Sequence, residues 1–475
     1  MFEEEYIYLA GLTDTTALLA WGKFFFEDSG KVMDRGAMET IGANSFVFAQ
    51  PFAEISVRNA ATDEALPPLI AAGANFCLVK GLKPDTEYRY TIKVTENNNS
   101  RVWGSNQHRV YDVKNQVMRP PLPTEHRAYN NRFKTFPDPA AASRLTFLVL
   151  GDFGRADATQ MRVADAMKRF IDNSADSARF IITTGDNIYS HSTGAGERDD
   201  DWFDSFYQPY RYLLNQLPVF PSMGNHDSSE QHEFNQGGEE RRQVYENFYV
   251  SSRFGQDDSP VRLDWKRDSG LFYRFGFGKN VTFLCIDTSS EKRTIDGQTF
   301  SGRLCAHEKN RRFVERCFIE SSQRGAKWCI PFGHHPAYSR GDSHGDTSEV
   351  QDLFDLVRGK GARVWLSGHD HNFQYLTKDR TKPAREQDKN LAPDENKIHS
   401  LLSGGGSEPR STSPGKKSKG TLRAWGGTDL GHFLVVTIDG DQMTVQPIGE
   451  NGQPLPMKDK ANNNKAWTSA ITIKA

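Results

Sequence analysis

Five short turns in this chain carry residues able to do metal chemistry: Gly151-Asp152-Phe153-Gly154, Gly185-Asp186-Asn187-Ile188-Tyr189, Gly224-Asn225-His226-Asp227, Gly333-His334-His335-Pro336 and Gly368-His369-Asp370-His371. Carboxylate, carboxamide, phenol and imidazole are hard-to-borderline donors. With no thiolate among them they suit Fe, Zn or Mn. Asp186 can offer one oxygen to each of two ions, and Tyr189, three residues on, can add a phenolate to one of them. Two ions side by side suit attack on a phosphorus centre. His226 follows the candidate ligand Asn225 and is available for proton transfer. Each turn alone also has an ordinary reading, since Gly-Asp-Asn is common turn chemistry and a lone histidine usually packs or faces solvent. Five such turns, each closing a strand-like run, make coincidence a poor explanation.

The elements that position these turns follow from periodicity. Leu145-Thr146-Phe147-Leu148-Val149-Leu150 is continuously apolar, as in a strand covered on both faces. A helix follows, with Met161, Ala164, Met167 and Ile171 along one face. Phe180-Ile181-Ile182-Thr183-Thr184 is the next strand, and Gly185 lets the chain turn so that Asp186 lands at its carboxyl end, where open α/β sheets place their chemistry. A right-handed crossover makes these two strands parallel neighbours. Pro218-Val219-Phe220, Trp328-Cys329-Ile330-Pro331-Phe332 and Val364-Trp365-Leu366 lead into the other three turns. Phe272-Tyr273-Arg274-Phe275 and the run from Val281 to Asp287 read as a hairpin of a second sheet. Residues 308–323 read as a helix, as does the stretch with Val350, Leu353, Phe354 and Val357 at i, i+3, i+4 and i+7. The runs from Leu434 to Ile438 and from Met443 to Val445 form a late hairpin across Asp439-Gly440.

Residues 1–139 read as a β-sandwich, with strand candidates at Tyr6-Ile7-Tyr8-Leu9-Ala10, Ala17-Leu18-Leu19-Ala20-Trp21, Phe46-Val47-Phe48 and Glu54-Ile55-Ser56-Val57. Residues 111–131 show no pattern and read as a long loop, before a last strand at Phe133-Lys134-Thr135-Phe136 and a proline-stiffened linker. The catalytic unit is expected over residues 140–456, and residues 457–475 as a loosely held tail. Residues 378–397 and 407–419 read as mobile surface insertions, and residues 190–201 as a solvated acidic rim.

The chain has 475 residues, with 59 Lys plus Arg against 61 Asp plus Glu. That balance gives no basic surplus for nucleic acid, and no run reaches membrane-spanning length. The start, Met1-Phe2-Glu3-Glu4-Glu5, lacks the layout of a secretory signal. This implies an intracellular protein or a processed chain with an added Met1. Cys77, Cys285, Cys305, Cys317 and Cys329 form no C-x-x-C pair and read as free thiols.

Gly-Asp-x-Gly, Gly-Asp-x-x-Tyr, Gly-Asn-His-Asp, Gly-His-x-Pro and Gly-His-x-His, in that order, resemble the calcineurin-like metallophosphoesterases. The Tyr of the second motif resembles the purple acid phosphatases, and Gly-Asp-Asn-Ile-Tyr with Gly-His-Asp-His-Asn-Phe-Gln-Tyr-Leu is most similar to their small, tartrate-resistant branch. Gly81-Leu82-Lys83-Pro84-Asp85-Thr86-Glu87-Tyr88 resembles the E–F corner of a fibronectin type III domain, which implies an inward Leu82, a turn shaped by Pro84 and a Tyr88 hydroxyl tied to the backbone. The fold implied is a mixed α+β chain: an all-β sandwich, then a four-layer α/β/β/α sandwich with two sheets face to face and helices outside.

The resemblance also implies a site. Fe(3+) would be held by Asp152, Tyr189 and His371, a divalent Fe, Zn or Mn by Asn225, His334 and His369, and Asp186 would bridge them. His334 is chosen over His335 because Pro336 follows it by two positions. The implied activity is hydrolysis of phosphate monoesters by in-line attack of a metal-bound hydroxide. Asn225, His226 and His344 would contact substrate, and His226 and His344 would serve in proton transfer. The intervening loop before His344 is one residue longer than in the small enzymes, and the disulfide that branch has near this loop finds no cysteine pair here. Phosphorylated small molecules or phosphoproteins are the expected partners, with no nucleic acid and no membrane. A secreted or periplasmic location is implied by the family, with oligomeric state left open. The rival enzyme reading is a phosphodiesterase or broad phosphoesterase on the same metals. The rival of another class is an adhesion protein using the front domain, which a degraded ligand set would favour; all seven ligands are present.

Overall fold

The computed structural model describes residues 1–33, 52–96, 98–104, 108–125, 127–174, 177–189, 202–228, 239–250, 270–295, 298–341, 344–388, 394–410 and 414–475. The strand candidate at residues 46–48 and the acidic stretch 190–201 lie outside the described residues.

The N-terminal region holds two main antiparallel sheets. One runs Phe2–Leu12, Thr16–Phe26, Phe76–Lys80. The other runs Arg132–Lys134, Glu87–Glu96, Phe52–Asn59, Leu69–Ala72, with Asn99–Val102 also paired to Glu87–Glu96. Strand Glu87–Glu96 alternates cleanly, burying Tyr88, Tyr90, Ile92 and Val94. At the expected corner, Leu82 is buried and the Lys83 backbone N–H donates to the Tyr88 hydroxyl at 2.9 Å. Strands Phe2–Leu12 and Thr16–Phe26 do not alternate: from Glu4 onward nearly every residue is buried. Their second face is covered by the segment that leads into helix Gln208–Leu214, where Tyr6 and Phe24 meet Phe203 and Tyr207 edge-on or tilted, and Tyr8 meets Phe206 and Tyr249. The front sheet therefore shares one continuous core with the two large sheets where they face each other, while a second core lies under helices Glu308–Gln323 and Ser348–Val357.

Residues 145 onward form two large sheets. A six-stranded sheet has the order Val219–Phe220, Ile181–Thr183, Leu145–Leu150, His432–Asp439, Gln442–Gly449, Ile471–Lys474, with the first three strands parallel. A nine-stranded sheet begins Tyr273–Phe277, Val281–Cys285, Trp328–Phe332, Val364–Ser367, Lys397–Ser403, and its middle strands are parallel. The sheets meet through phenylalanines: Phe220 stacks on Phe275 at 3.7 Å, and Phe147 and Phe180 pack edge-on against Phe283. Helices Ala158–Asn173, Glu308–Gln323 and Ser348–Val357 pack on this sheet pair, the first capped by Asp157, which accepts from Gln160 N–H at 2.7 Å.

Four expectations need correction. Residues 111–131 hold a short hairpin, Val110–Asp112 with Val117–Arg119, and a turn of 3-10 helix at Pro123–Glu125. The buried face of Ala158–Asn173 is set by Gln160, Val163, Ala164, Ala166 and Met167, with Met161 and Ile171 at its margin. Residues 457–475 are not a loose tail: Met457–Asp459 and Lys465–Trp467 extend the nine-stranded sheet, and Ile471–Lys474 pairs along Gln442–Gly449 with Ile471 and Ile473 turned inward. The segments 378–397 and 407–419 are not simply surface loops. Lys378 is buried in strand Phe373–Asp379 and paired with Asp388, because an ammonium taken from water needs a carboxylate partner. Ser407 is fastened to the backbone of Asp152.

Candidate metal centre

All five turns meet at one place. The ends of Leu145–Leu150, Ile181–Thr183 and Val219–Phe220 deliver Asp152, Asp186 and Asn225 from one sheet. The ends of Trp328–Phe332 and Val364–Ser367 deliver His334, His369 and His371 from the other. Asp152, Asp186 and His369 adopt left-handed backbone, with φ of 56°, 49° and 78°. Such strain costs roughly 1–3 kcal/mol per residue, and the surroundings hold it. Asp152 N–H donates to the Gly185 carbonyl at 3.0 Å. The Asp152 carboxylate accepts the His369 backbone N–H at 3.0 and 3.1 Å, and Asp186 Oδ1 accepts that of His226 at 2.9 Å. Gly185, at φ 82°, leaves no room for a side chain: a Cβ would lie 2.7 Å from that of His334.

The donors fall into two touching groups. In one, the Tyr189 hydroxyl lies 3.1 Å from Asp186 Oδ2, 3.5 Å from Asp152 Oδ1 and 3.3 Å from His371 Nε2, and His371 Nε2 lies 3.7 Å from Asp152. In the other, His334 Nε2 lies 2.8 Å from Asn225 Oδ1, 3.4 Å from Asp186 Oδ2 and 3.0 Å from His369 Nδ1. Asp186 Oδ2 is thus reached from both groups. His334 Nδ1 faces the Thr184 carbonyl at 2.9 Å and His371 Nδ1 the Glu408 carbonyl at 3.1 Å. A carbonyl can only accept, so each Nδ1 carries the proton and each Nε2 turns a lone pair into the site. Lone pairs, carboxylate oxygens and a carboxamide oxygen converging at these distances are the chemistry of a cation site. The ligand-capable atoms of Asp152, Asp186 and His334 lie within 4.8 Å of one another, as do those of His334, His335 and His369.

Electrostatics follow the same pattern. Burial and the neighbouring Asp186 push the Asp152 carboxyl well up. Burial also works upward on Asp186, but His334, His226 and His371 outweigh it and bring that carboxyl below its usual range. Burial, then Asp186 and Asp152, push the Tyr189 phenol well up, so it acts as a hydrogen-bond donor. Burial lowers His369 and His335 well below the ordinary imidazole range, and burial together with nearby cationic residues brings His371 and His344 down to about 4. These rings are neutral near pH 7, the form that binds metal.

His226 is half-buried, with its ring centroid 4.4 Å from that of Tyr189, and His344 lies tilted against His369 with ring centroids 3.7 Å apart. Every candidate residue read from the sequence is therefore gathered here. Others were missed. Asp227 is fully buried, accepts the backbone N–H groups of Asn187 and Gly224, and is pushed up to about 7 by burial and by Asp186. It stands in the third motif, where its place beside Asn225 was the available signal. Ser407 and the Glu408 carbonyl left none.

Residues 145–373 match the family model of the calcineurin-like phosphoesterases. The chain is 26% identical over 334 residues to tartrate-resistant acid phosphatase type 5 of Rattus norvegicus, covering 66% of this chain and 90% of that protein. It is 25% identical over 256 residues to purple acid phosphatase 17 of Arabidopsis thaliana, covering 52% of this chain and 69% of that one. The solved purple acid phosphatase PPD1 from yellow lupin seeds has the same fold, with a TM-score of 0.61 at 12% identity across 99% of this chain and 74% of its own. Two glycine-turned carboxylates, the converging lone pairs and these likenesses agree: the chain carries a calcineurin-like phosphoesterase domain and has purple acid phosphatases among its homologues.

Proposed function

We propose that this site hydrolyses phosphate monoesters as a dinuclear acid phosphatase. The observation that carries the reading is Asp186 Oδ2, which lies within 3.1 Å of Tyr189 and 3.4 Å of His334 and so serves both donor groups. Asp152, Tyr189, His371 and Asp186 would hold Fe(3+); Asn225, His334, His369 and the same Asp186 would hold a divalent Fe, Zn or Mn, since oxygen and imidazole donors suit both. When bound, such a pair supplies Lewis acidity toward the phosphoryl oxygens and lowers the pKa of coordinated water.

The chain's own residues do the rest. His226 is fixed by its backbone N–H on Asp186 and stands half-buried beside Tyr189. There it would orient the phosphate or deliver a proton to the leaving oxygen. His344 would act from the other side, above His369. Phosphorylated small molecules or phosphoproteins are the substrates in this reading, and the compartment is secreted or periplasmic. All five cysteines are free thiols, so the fold does not depend on an oxidising environment. Among the described residues no helix is long and apolar enough to cross a membrane.

The test is side-by-side kinetics of the metal-loaded protein on aryl phosphate mono- and diesters. The reading expects kcat/KM for the monoester to exceed that for the diester and both to vanish on chelation. A preference for the diester would move the assignment to a phosphodiesterase.

A further inference from the structure

The three imidazoles facing the two donor groups are not held alike. His334 and His371 each anchor Nδ1 on a backbone carbonyl. His369 turns Nδ1 toward His334 Nε2 instead, and no carbonyl anchor for its ring exists among the described residues. Its backbone is left-handed, at φ 78°. What fixes the ring is packing. His335 lies on one side with centroids 4.4 Å apart, and His344 on another at 3.7 Å.

His335 is itself locked. It is buried to 1% exposure, and the Thr288 hydroxyl bonds it twice, accepting its backbone N–H at 2.9 Å and meeting Nδ1 at 3.0 Å. Thr288 is in turn set by its neighbours. Asp287 accepts the backbone N–H and hydroxyl of Ser289 and the Arg241 guanidinium, and all of these groups are buried. A rigid, fully paired network therefore ends on the face of the one imidazole that lacks an anchor of its own.

The geometry points to Thr288 and His335 as positioning residues for His369, doing through packing what a backbone carbonyl does for His334 and His371. The inference rests on the dinuclear reading and deepens it: the position served by His369, not the one served by His371, depends on this pair. Outer partners of metal ligands change affinity by roughly 10- to 100-fold when removed.

The experiment titrates Zn2+ and Co2+ into full-length protein loaded with iron and stripped of divalent ion, using chelator competition for affinity and the Co2+ visible bands for coordination, with retained iron measured on the same samples. Wild type, Thr288→Val, Thr288→Ser and His335→Phe are compared. Thr288→Val and His335→Phe should weaken the divalent position by roughly 10- to 100-fold and alter its Co2+ bands while iron content holds. Thr288→Ser, which keeps the hydroxyl, should restore both. Wild-type affinity and bands in Thr288→Val would overturn the inference. So would an equal loss of iron and divalent ion, which marks a merely structural role, or a failure of Thr288→Ser to rescue. Wild type that binds no metal would instead overturn the dinuclear reading itself.

Discussion

Arg211 and Asp186 are both buried, yet the groups around them differ in kind. Arg211, at the seam between the front sheet and helix Gln208–Leu214, is 1% exposed and fully matched: its guanidinium meets the Glu4 carboxylate at 3.4 Å and the Glu5 carbonyl at 2.9 Å and lies over the Tyr6 ring. Asp186 and Asp152 are equally buried, but among the described residues no Lys or Arg is bonded to either. Their surroundings are imidazole, phenol and backbone N–H. The seam is complete as protein and contributes to stability. The strand ends gather negative charge and lone pairs, which is costly for a fold alone and useful for holding cations. Stability and function have been placed in separate polar clusters.

The largest effect should come from the bridge. Asp186→Ala removes the oxygen shared by both donor groups, so both ions should be lost or one left weakly bound, with turnover abolished. Metal analysis of the purified variant checks this, and two tightly held ions would break the contrast with the seam. Next, His226→Ala should keep both ions but lower kcat by roughly 10²- to 10⁴-fold, the range for a lost proton donor. The loss should be smaller on nitrophenyl than on alkyl phosphates; equal losses would mean that His226 only positions the phosphate.

At the seam, Arg211→Met leaves Glu4 buried without its cation. That should cost about 3–5 kcal/mol, read as a lower denaturation midpoint, while metal content stays unchanged. A variant that loses metal along with stability would show the two clusters to be coupled. Tyr189→Phe should bleach the visible band of the iron-loaded protein and reduce activity less than Asp186→Ala does, because Asp152, Asp186 and His371 remain. A variant that keeps the band would remove Tyr189 from the ligand set.

The smallest effect concerns acid. His108 packs at the seam against Tyr129, with Nδ1 3.0 Å from the Tyr212 hydroxyl; burial, then Arg211, holds its pKa down to about 3. In the unfolded chain a histidine titrates near 6.5, so below that pH the unfolded state takes up a proton that the folded state refuses. The stability contributed by neutral His108 is therefore whole above about pH 6.5 and is lost as pH falls toward 3. His108→Gln should flatten the decline of Tm between about pH 6.5 and 4, and an unchanged slope would show that His108 contributes nothing there.

The site was legible in the sequence because strand ends announce themselves. An apolar run followed by glycine and then a carboxylate, a carboxamide or a histidine carries both the element and its chemistry, and Asp152, Asp186, Asn225, His334 and His369 all follow that form. The strands that lead into these turns were legible for the same reason, whereas Phe373–Asp379, Lys397–Ser403 and Thr421–Gly426 of the nine-stranded sheet were not read as strands. What failed to show depends on packing across distant segments. Strands Phe2–Leu12 and Thr16–Phe26 are covered on a second face by residues near 203–207, which no local pattern reveals. Ile471–Lys474 is a short edge strand with outward Thr472 and Lys474, and its polarity resembles a tail. Glu408 reaches the site through its backbone carbonyl, which residue identity does not report, and Ser407 through its N–H and hydroxyl on the Asp152 carbonyl, in a stretch with no motif to mark it.

The most direct test of the central claim is to measure metal stoichiometry and phosphomonoester turnover on one preparation of the full chain, before and after chelation and after return of iron with zinc. The account predicts two ions per chain when loaded, turnover that disappears with them, and recovery only when both positions are refilled. Turnover that survives complete removal of metal, or full activity with a single ion bound, would contradict it.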